Sequence, residues 1–94
     1  MLKNKKGIIF GIANDHSIAW GIAKKLHDYG AELAITYQNE SLLKRVEPLA
    51  KILNSNLLLE CDFNKEGSLE NTIEQISSKW DNIDFIIHAV AFSD

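Results

Sequence analysis

Apolar and polar positions along this 94-residue chain follow two alternating rhythms. Short unbroken apolar runs are separated by stretches in which apolar residues return every three or four positions, so strands and helices are predicted in turn. The first strand is Gly7–Phe10. A helix follows from about Ser17 to Tyr29, with Ile18, Ile22 and Leu26 on one stripe, Ala19 and Ala23 beside them, and Gly30 placed to cap its end. The second strand is Glu32–Tyr37. The second helix starts near Asn39 or Glu40 and ends near Leu53, with Leu42, Val46, Leu49 and Leu53 inward; Pro48 inside it predicts a kink or an early break. The third strand is Asn56–Cys61. The third helix begins at Ser68, a good N-cap residue, and runs to Trp80 with Leu69, Ile73, Ile76 and Trp80 inward, before a fourth strand at Asp84–Ala89.

The runs Ile8-Ile9-Phe10, Leu57-Leu58-Leu59 and Phe85-Ile86-Ile87 hold no polar residue, which predicts strands covered on both faces and hence a parallel sheet between helical layers. Right-handed crossovers then give the strand order 3-2-1-4. The fold class is α/β: a Rossmann-like, three-layer parallel sheet of about four strands and three helices, incomplete beside a full sheet of that kind. Such sheets bind ligands outside the C-terminal strand ends, at the switch between strands one and four. Four segments fall there: Gly11–Ile18, Gln38, Asp62-Phe63 and Ala89–Phe92.

Gly11-Ile12-Ala13-Asn14-Asp15-His16-Ser17-Ile18-Ala19 carries the most chemistry. It links a strand to a helix, so unpaired N–H groups and the positive end of the helix dipole are predicted to face an anion. Gly11 permits the tight turn and a close approach of a diphosphate; Ser17 can donate a hydroxyl to it. The three-glycine fingerprint is absent, since Ser17 and Ala19 stand near the later glycines. The plainer reading is a simple strand–helix connection, with Asp62 a loop acid and Gln38 a neutral surface residue.

Composition narrows the alternatives. An apolar fraction of 46% and a charged fraction of 24% suit one small globular domain. A net charge of −3 gives no electrostatic ground for nucleic-acid binding. A single cysteine excludes an internal disulfide and suits a reducing compartment. The apolar runs are too short to span a bilayer, and the charged N-terminus lacks a secretory core, so a cytoplasmic protein with no membrane partner is expected. His16, His27 and His88 lack metal-ligand spacing, and no metal site is expected. His16 is expected in an exposed loop and His88 as a packed, hydrogen-bonded strand residue. Cys61 reads as a small buried hydrophobe and Trp20 and Trp80 as core or interface anchors. A signalling domain of flavodoxin-like topology would need clustered acids at strand ends, where Asp62 stands alone.

The turn Gly11-x5-Ser17-x-Ala19, followed by Trp20-Gly21-Ile22-Ala23, resembles the short-chain dehydrogenase/reductase superfamily and, more narrowly, its NADH-dependent enoyl-acyl-carrier-protein reductase branch. Gly30-Ala31-Glu32-Leu33-Ala34, Thr36-Tyr37-Gln38, Lys44-Arg45-Val46, Cys61-Asp62 and His88-Ala89-Val90-Ala91-Phe92 extend the resemblance over essentially the whole chain. It implies that residues 1–94 are the N-terminal part of an NAD(P)-binding Rossmann domain, from a homotetrameric enzyme more than twice this length that reduces an enoyl thioester on acyl-carrier protein. It also implies cofactor contacts: Gly11, Ser17 and Ile18 at the diphosphate, Gln38 at the adenosine ribose, Asp62 and Phe63 at the adenine, and Val90 beside the nicotinamide ribose. Neutral Gln38 offers no cationic partner to a 2′-phosphate and favours NADH, with Lys44 and Arg45 close enough in sequence to keep NADPH open. Ala91 stands where the family usually has glycine.

The family's catalytic tyrosine and lysine lie C-terminal to everything in this chain, so no catalytic residue is assigned here, and the chain alone is expected to be inactive. The alternatives kept open are a catalytically silent dinucleotide-binding piece and another short-chain dehydrogenase/reductase. The uncharged run from Phe85 to Val90 is expected to form an apolar sheet edge that self-associates, with Ile87 the position where a lysine would relieve it.

Overall fold

A computed structural model describes residues 2–89 of the chain. In chain order the elements are β1 (Lys6–Phe10), α1 (Ile18–Asp28), β2 (Glu32–Tyr37), α2 (Glu40–Ile52), β3 (Leu57–Glu60), α3 (Ser68–Ser77) and β4 (Phe85–His88). The four strands form one sheet in the order β3-β2-β1-β4, every pair parallel. Fold class and strand order are those the hydrophobic pattern predicts.

The register sorts side chains onto two faces. Ile9 stands between Ile35 and Ile87, while its neighbour Ile8 stands between Ala34 and Ile86. Since successive residues of a strand point to opposite sides, these two rows belong to opposite faces. The first face packs Ile9, Leu33 and Ile35 against Ala19, Trp20 and Ala23 of α1 and Val46, Leu49 and Ala50 of α2. The second packs Ile8, Phe10, Ala34 and Leu57 against Ile76 of α3, together with Cys61 and Trp80. Both tryptophans are buried as expected. The Trp80 indole N–H donates to Glu32 Oε2 at 3.1 Å, which satisfies the polar end of that anchor.

Several local expectations are corrected. Ile18 is 72% exposed; the buried stripe of α1 is Ala19, Trp20 and Ala23, because Ile18 is the first helical residue and lies on the rim beyond the sheet. Leu69 on α3 is also exposed, and the inward positions there are Thr72 and Ile76. Thr72 tolerates burial because its hydroxyl donates to the Glu60 carbonyl at 3.3 Å. Ser68 does not cap α3: Gly67, at φ 82°, fills the N-cap position, and the Ser68 hydroxyl instead accepts from the Asp62 N–H at 3.0 Å. The helix ends at Ser77, short of Trp80. Helix α2 runs through Pro48 to Ile52 without an early break. Pro48 and Lys44 are both exposed, so the hydrogen bond that Pro48 cannot donate is missing on the solvent side of the helix.

The largest correction concerns β4. Its side chains alternate between half-buried and exposed, and Ile86 is 51% exposed, so this strand is not covered on both faces. Phe85 and Ile87 pack on the α1–α2 face. The Phe85 ring lies across Gly7: a Cβ at that position would fall 2.0 Å from it, so the strand pair closes only over a glycine. His88 is exposed and has no hydrogen bond among the described residues; its ring packs on an aromatic neighbour instead.

Candidate functional site

The C-terminal ends of the strands open into a cleft of about 780 Å³, at the point where the sheet order reverses between β1 and β4. The β1–α1 turn forms one wall. Gly11 has φ 108°, a backbone conformation open to glycine and strained for any residue with a Cβ. Asn14 then shapes the turn: its side-chain oxygen accepts from the His16 N–H at 2.7 Å and its carbonyl accepts from the Ser17 N–H at 3.2 Å. Ser17 is the N-cap of α1, its hydroxyl oxygen accepting from the Trp20 N–H at 3.3 Å. The same hydroxyl donates to the Asn14 carbonyl at 2.8 Å, so its proton is held inside the turn. The Ile18 N–H, by contrast, has no acceptor among the described residues, and Ile18 lines the cleft. The first turn of α1 holds no acid, which leaves the positive end of the helix unopposed there.

The other walls come from the remaining strand ends. Thr36 and Gln38 stand at the end of β2, Cys61, Phe63 and Asn64 beyond β3, and His88 and Ala89 at the end of β4. The Thr36 hydroxyl donates to the Ile9 carbonyl at 3.0 Å and ties the ends of β1 and β2 together. Cys61 is buried and its N–H donates to the Tyr37 carbonyl at 2.8 Å, extending the β2–β3 pairing into the cleft floor. Phe63, 42% exposed, packs its ring 5.4 Å from Phe10 and 4.9 Å edge-on from His88. This cluster fastens the β3–α3 loop to the ends of β1 and β4 and gives the cleft an aromatic wall.

The structure thus brings together Gly11, Ser17, Ile18, Gln38 and Phe63 on one cleft. Asp62 falls in the adjoining depression with Glu60, Ser68 and Asn71. One of its carboxylate oxygens accepts from the Asn64 N–H at 2.9 Å, which holds the loop before α3. Val90 and Ala91 lie outside the described residues. Thr36, Leu42 and Cys61 line the cleft without being singled out by sequence. The signal was available for both Thr36, two residues before Gln38, and Cys61, directly before Asp62. Leu42 gave none, because it reads as ordinary helix core.

Electrostatics differ between the ends of the cleft. At the α1 end, His16 is exposed, with Nε2 3.5 Å from Asp15. At the β2 end, the Tyr37 phenol is pushed above the usual tyrosine range, first by burial and then by the carboxylates of Glu60, Glu40 and Glu47. Among the described residues, the titratable side chains on the cleft wall are His16, Cys61 and His88. No group of three His, Cys, Asp or Glu among them could hold a metal, and no helix is long and apolar enough to cross a membrane. Apolar walls, a glycine-lined turn at a helix N-terminus and a few polar groups suit an elongated anionic ligand with flat heterocyclic ends.

A family model described as Enoyl-(Acyl carrier protein) reductase matches residues 11–94. An enoyl-[acyl-carrier-protein] reductase [NADH] 2 of Rhizobium meliloti is 52% identical over the whole chain, which covers 35% of that relative. A FabI enoyl-[acyl-carrier-protein] reductase [NADH] of Rickettsia conorii is 47% identical over the whole chain, covering 36% of the relative. Among solved structures, FabI from Candidatus Liberibacter asiaticus superimposes with a TM-score of 0.94 at 49% identity, over 99% of this chain and 36% of that one. The reductase from Anaplasma phagocytophilum, solved in complex with NAD, gives a TM-score of 0.92 at 47% identity over the same shares. The chain therefore spans about a third of the length of the proteins it matches.

Proposed function

Because the chain belongs to the enoyl-(acyl carrier protein) reductase family, we propose that it forms the dinucleotide-binding part of an NADH-dependent enoyl-acyl-carrier-protein reductase of fatty-acid synthesis. The observation that carries this is the turn at the switch point: Gly11 at φ 108°, leading into an α1 N-terminus where Ile18 lines the cleft and its N–H has no acceptor among the described residues. A diphosphate fits it, since the close backbone approach needs glycine and the unopposed helix end favours an anion.

In this reading Gly11 and the Ile18 N–H hold the diphosphate. Ser17 supports them by capping α1, and it contacts the diphosphate directly only if its hydroxyl turns away from Asn14. Gln38 faces the adenosine ribose. Phe63 gives the adenine an apolar wall and Asp62 holds the loop beneath it, with its second carboxylate oxygen left for the adenine amino group. Val90 borders the nicotinamide ribose. When bound, NADH supplies a hydride to the β-carbon of an enoyl thioester carried on acyl-carrier protein, and a proton is added at the α-carbon. The residues of this chain bind and orient the donor; the titratable groups on the described cleft wall are His16, Cys61 and His88, with no tyrosine or lysine among them. A cytoplasmic homotetramer is the setting the family suggests.

Titration of the purified chain with NADH, read by quenching of Trp20 and Trp80 or by calorimetry, tests the binding step. Saturable binding is expected, and Gly11→Ala should weaken it at least tenfold, because a methyl group is strained at that φ and crowds the diphosphate. Absence of saturable binding, or an unchanged Kd in Gly11→Ala, would overturn the reading. A second reading, a chain that binds the dinucleotide but reduces nothing, rests on the absence of a tyrosine or lysine from the described cleft wall. It is separated from the first by NADH oxidation with a crotonyl thioester.

A further inference from the structure

We propose that discrimination against a 2′-phosphorylated dinucleotide is made by a negative field at the adenosine end of the cleft, supplied by Glu60, Glu40 and Glu47, with Glu60 the principal residue and Gln38 only a neutral spacer. This rests on the dinucleotide reading above. Two elements carry these charges, β3 with Glu60 and α2 with Glu40 and Glu47. Glu60, the last residue of β3, is the register partner of Tyr37, the last residue of β2. Gln38 follows Tyr37 directly and lines the cleft. Glu40 opens α2 two residues later, and Glu47 lies seven residues along the same helix, about two turns on and on the same face.

The neighbouring cations are not paired with these carboxylates. Lys44 lies between Glu40 and Glu47 on that helical face, with Arg45 beside it, yet no ion pair within 4.0 Å forms at either among the described residues, and both are exposed. The Tyr37 phenol acts as a local gauge. Besides burial, the charges that move it are Glu60, Glu40 and Glu47, all carboxylates and all acting in the same direction. A cationic pocket for a phosphate would act on the phenol in the opposite sense.

A 2′-hydroxyl is uncharged and indifferent to this field, whereas a 2′-phosphate brings nearly two negative charges into it. Across about 10 Å of water-like medium, one carboxylate disfavours such a group roughly threefold, and the effect shrinks as salt shortens the screening length. Selection by charge therefore has a signature that selection by shape at Gln38 lacks: it fades with ionic strength.

The experiment measures the Kd of NADH and of NADPH on the purified chain, from low to molar sodium chloride. At low salt NADH binds more tightly, and the gap closes as salt rises. Glu60→Gln lowers the NADPH Kd roughly threefold with the NADH Kd unchanged, and the triple variant Glu40→Gln, Glu47→Gln, Glu60→Gln lowers it further. In a Tyr29→Phe background, where Tyr37 is the remaining tyrosine, Glu60→Gln also moves the phenol titration down, which a role confined to packing would not do. A gap that ignores salt and survives Glu60→Gln overturns the proposal, as does equal affinity for NADPH and NADH in the unaltered chain. If a variant loses NADH binding through misfolding, the salt series on the unaltered chain decides alone. Failure to bind either dinucleotide defeats the dinucleotide reading itself, and this proposal with it.

Discussion

The two faces of the sheet are closed to different degrees. Beneath α1 and α2, Ile9, Leu33 and Ile35 are fully buried and the face is covered from β3 across to β4, where Phe85 and Ile87 join the cluster. On the α3 side, Ile8, Phe10 and Ala34 are as deeply buried, but the cover stops at β1. Ile86, in register with Ile8, is half exposed, and His88, in register with Phe10, is exposed beside Phe63. The closed face therefore carries most of the cohesion of the fold. The open corner of the other face is where the cleft acquires its aromatic wall. The cleft itself lies across the strand ends where the two faces meet, with Ile12 and Leu42 from the closed side and Cys61 from the other.

The sharpest way to break this comparison is to remove the same atoms from each face. Ile35→Ala leaves a cavity in the closed face, where neighbours cannot collapse, and should cost about 2–5 kcal/mol of unfolding free energy. Ile86→Ala removes a side chain already half in water and should cost under about 1 kcal/mol. Paired urea-unfolding curves check both. Equal costs would mean that the α3 side is covered in solution and that the contrast between the faces is false.

A medium effect probes how β4 is held to the closed face. Gly7→Ala should cost about 1–3 kcal/mol, because the new methyl group meets the Phe85 ring and that ring must shift within a packed layer. Gly7 does not have a positive φ among the described residues, so the penalty is contact and not backbone strain. Adding Phe85→Ala should therefore recover part of the loss, giving a non-additive pair. Additive costs by thermal or urea unfolding would show that the two residues do not meet.

How much of this was legible in sequence follows from which forces are local. The order of elements, the parallel sheet and the 3-2-1-4 order came from hydrophobic period and the crossover rule, and they reappear in the structure. The cleft segments at Gly11–Ile18, Gln38 and Phe63 came from topology and also converge. What did not follow was the coverage of each face. The runs Ile8-Ile9-Phe10 and Phe85-Ile86-Ile87 look alike, yet one is central and the other stands at an edge among the described strands, and only sheet position distinguishes them. Side-chain partners were hidden for the same reason. Ser68 carries the signal of an N-cap but spends its hydroxyl on Asp62, and Thr72 takes the core position expected of Leu69 because the Glu60 carbonyl is within reach. Ile87, the sequence-based choice for a solubilising lysine, points into the closed face.

The smallest effect on stability tests the open corner alone. Ile86 presents an apolar side chain to solvent on a strand that has a hydrogen-bonded neighbour on one side only among the described strands. Such an edge invites pairing with another copy, and a lysine there is a common natural block. Ile86→Lys should shift unfolding free energy by no more than about 0.5 kcal/mol, since the side chain replaced is half in water and the charge can reach solvent along its flexible stem. The same change should lower self-association in sedimentation velocity, moving material from larger species to the monomer. Ile87→Lys would instead bury a charge against Ile9 and α1, and should unfold the chain or cost several kcal/mol. A monomer that is already monodisperse before substitution would show that this edge is protected. Equal tolerance of lysine at both positions would show that β4 does not keep the alternating orientation on which the contrast between the two faces depends.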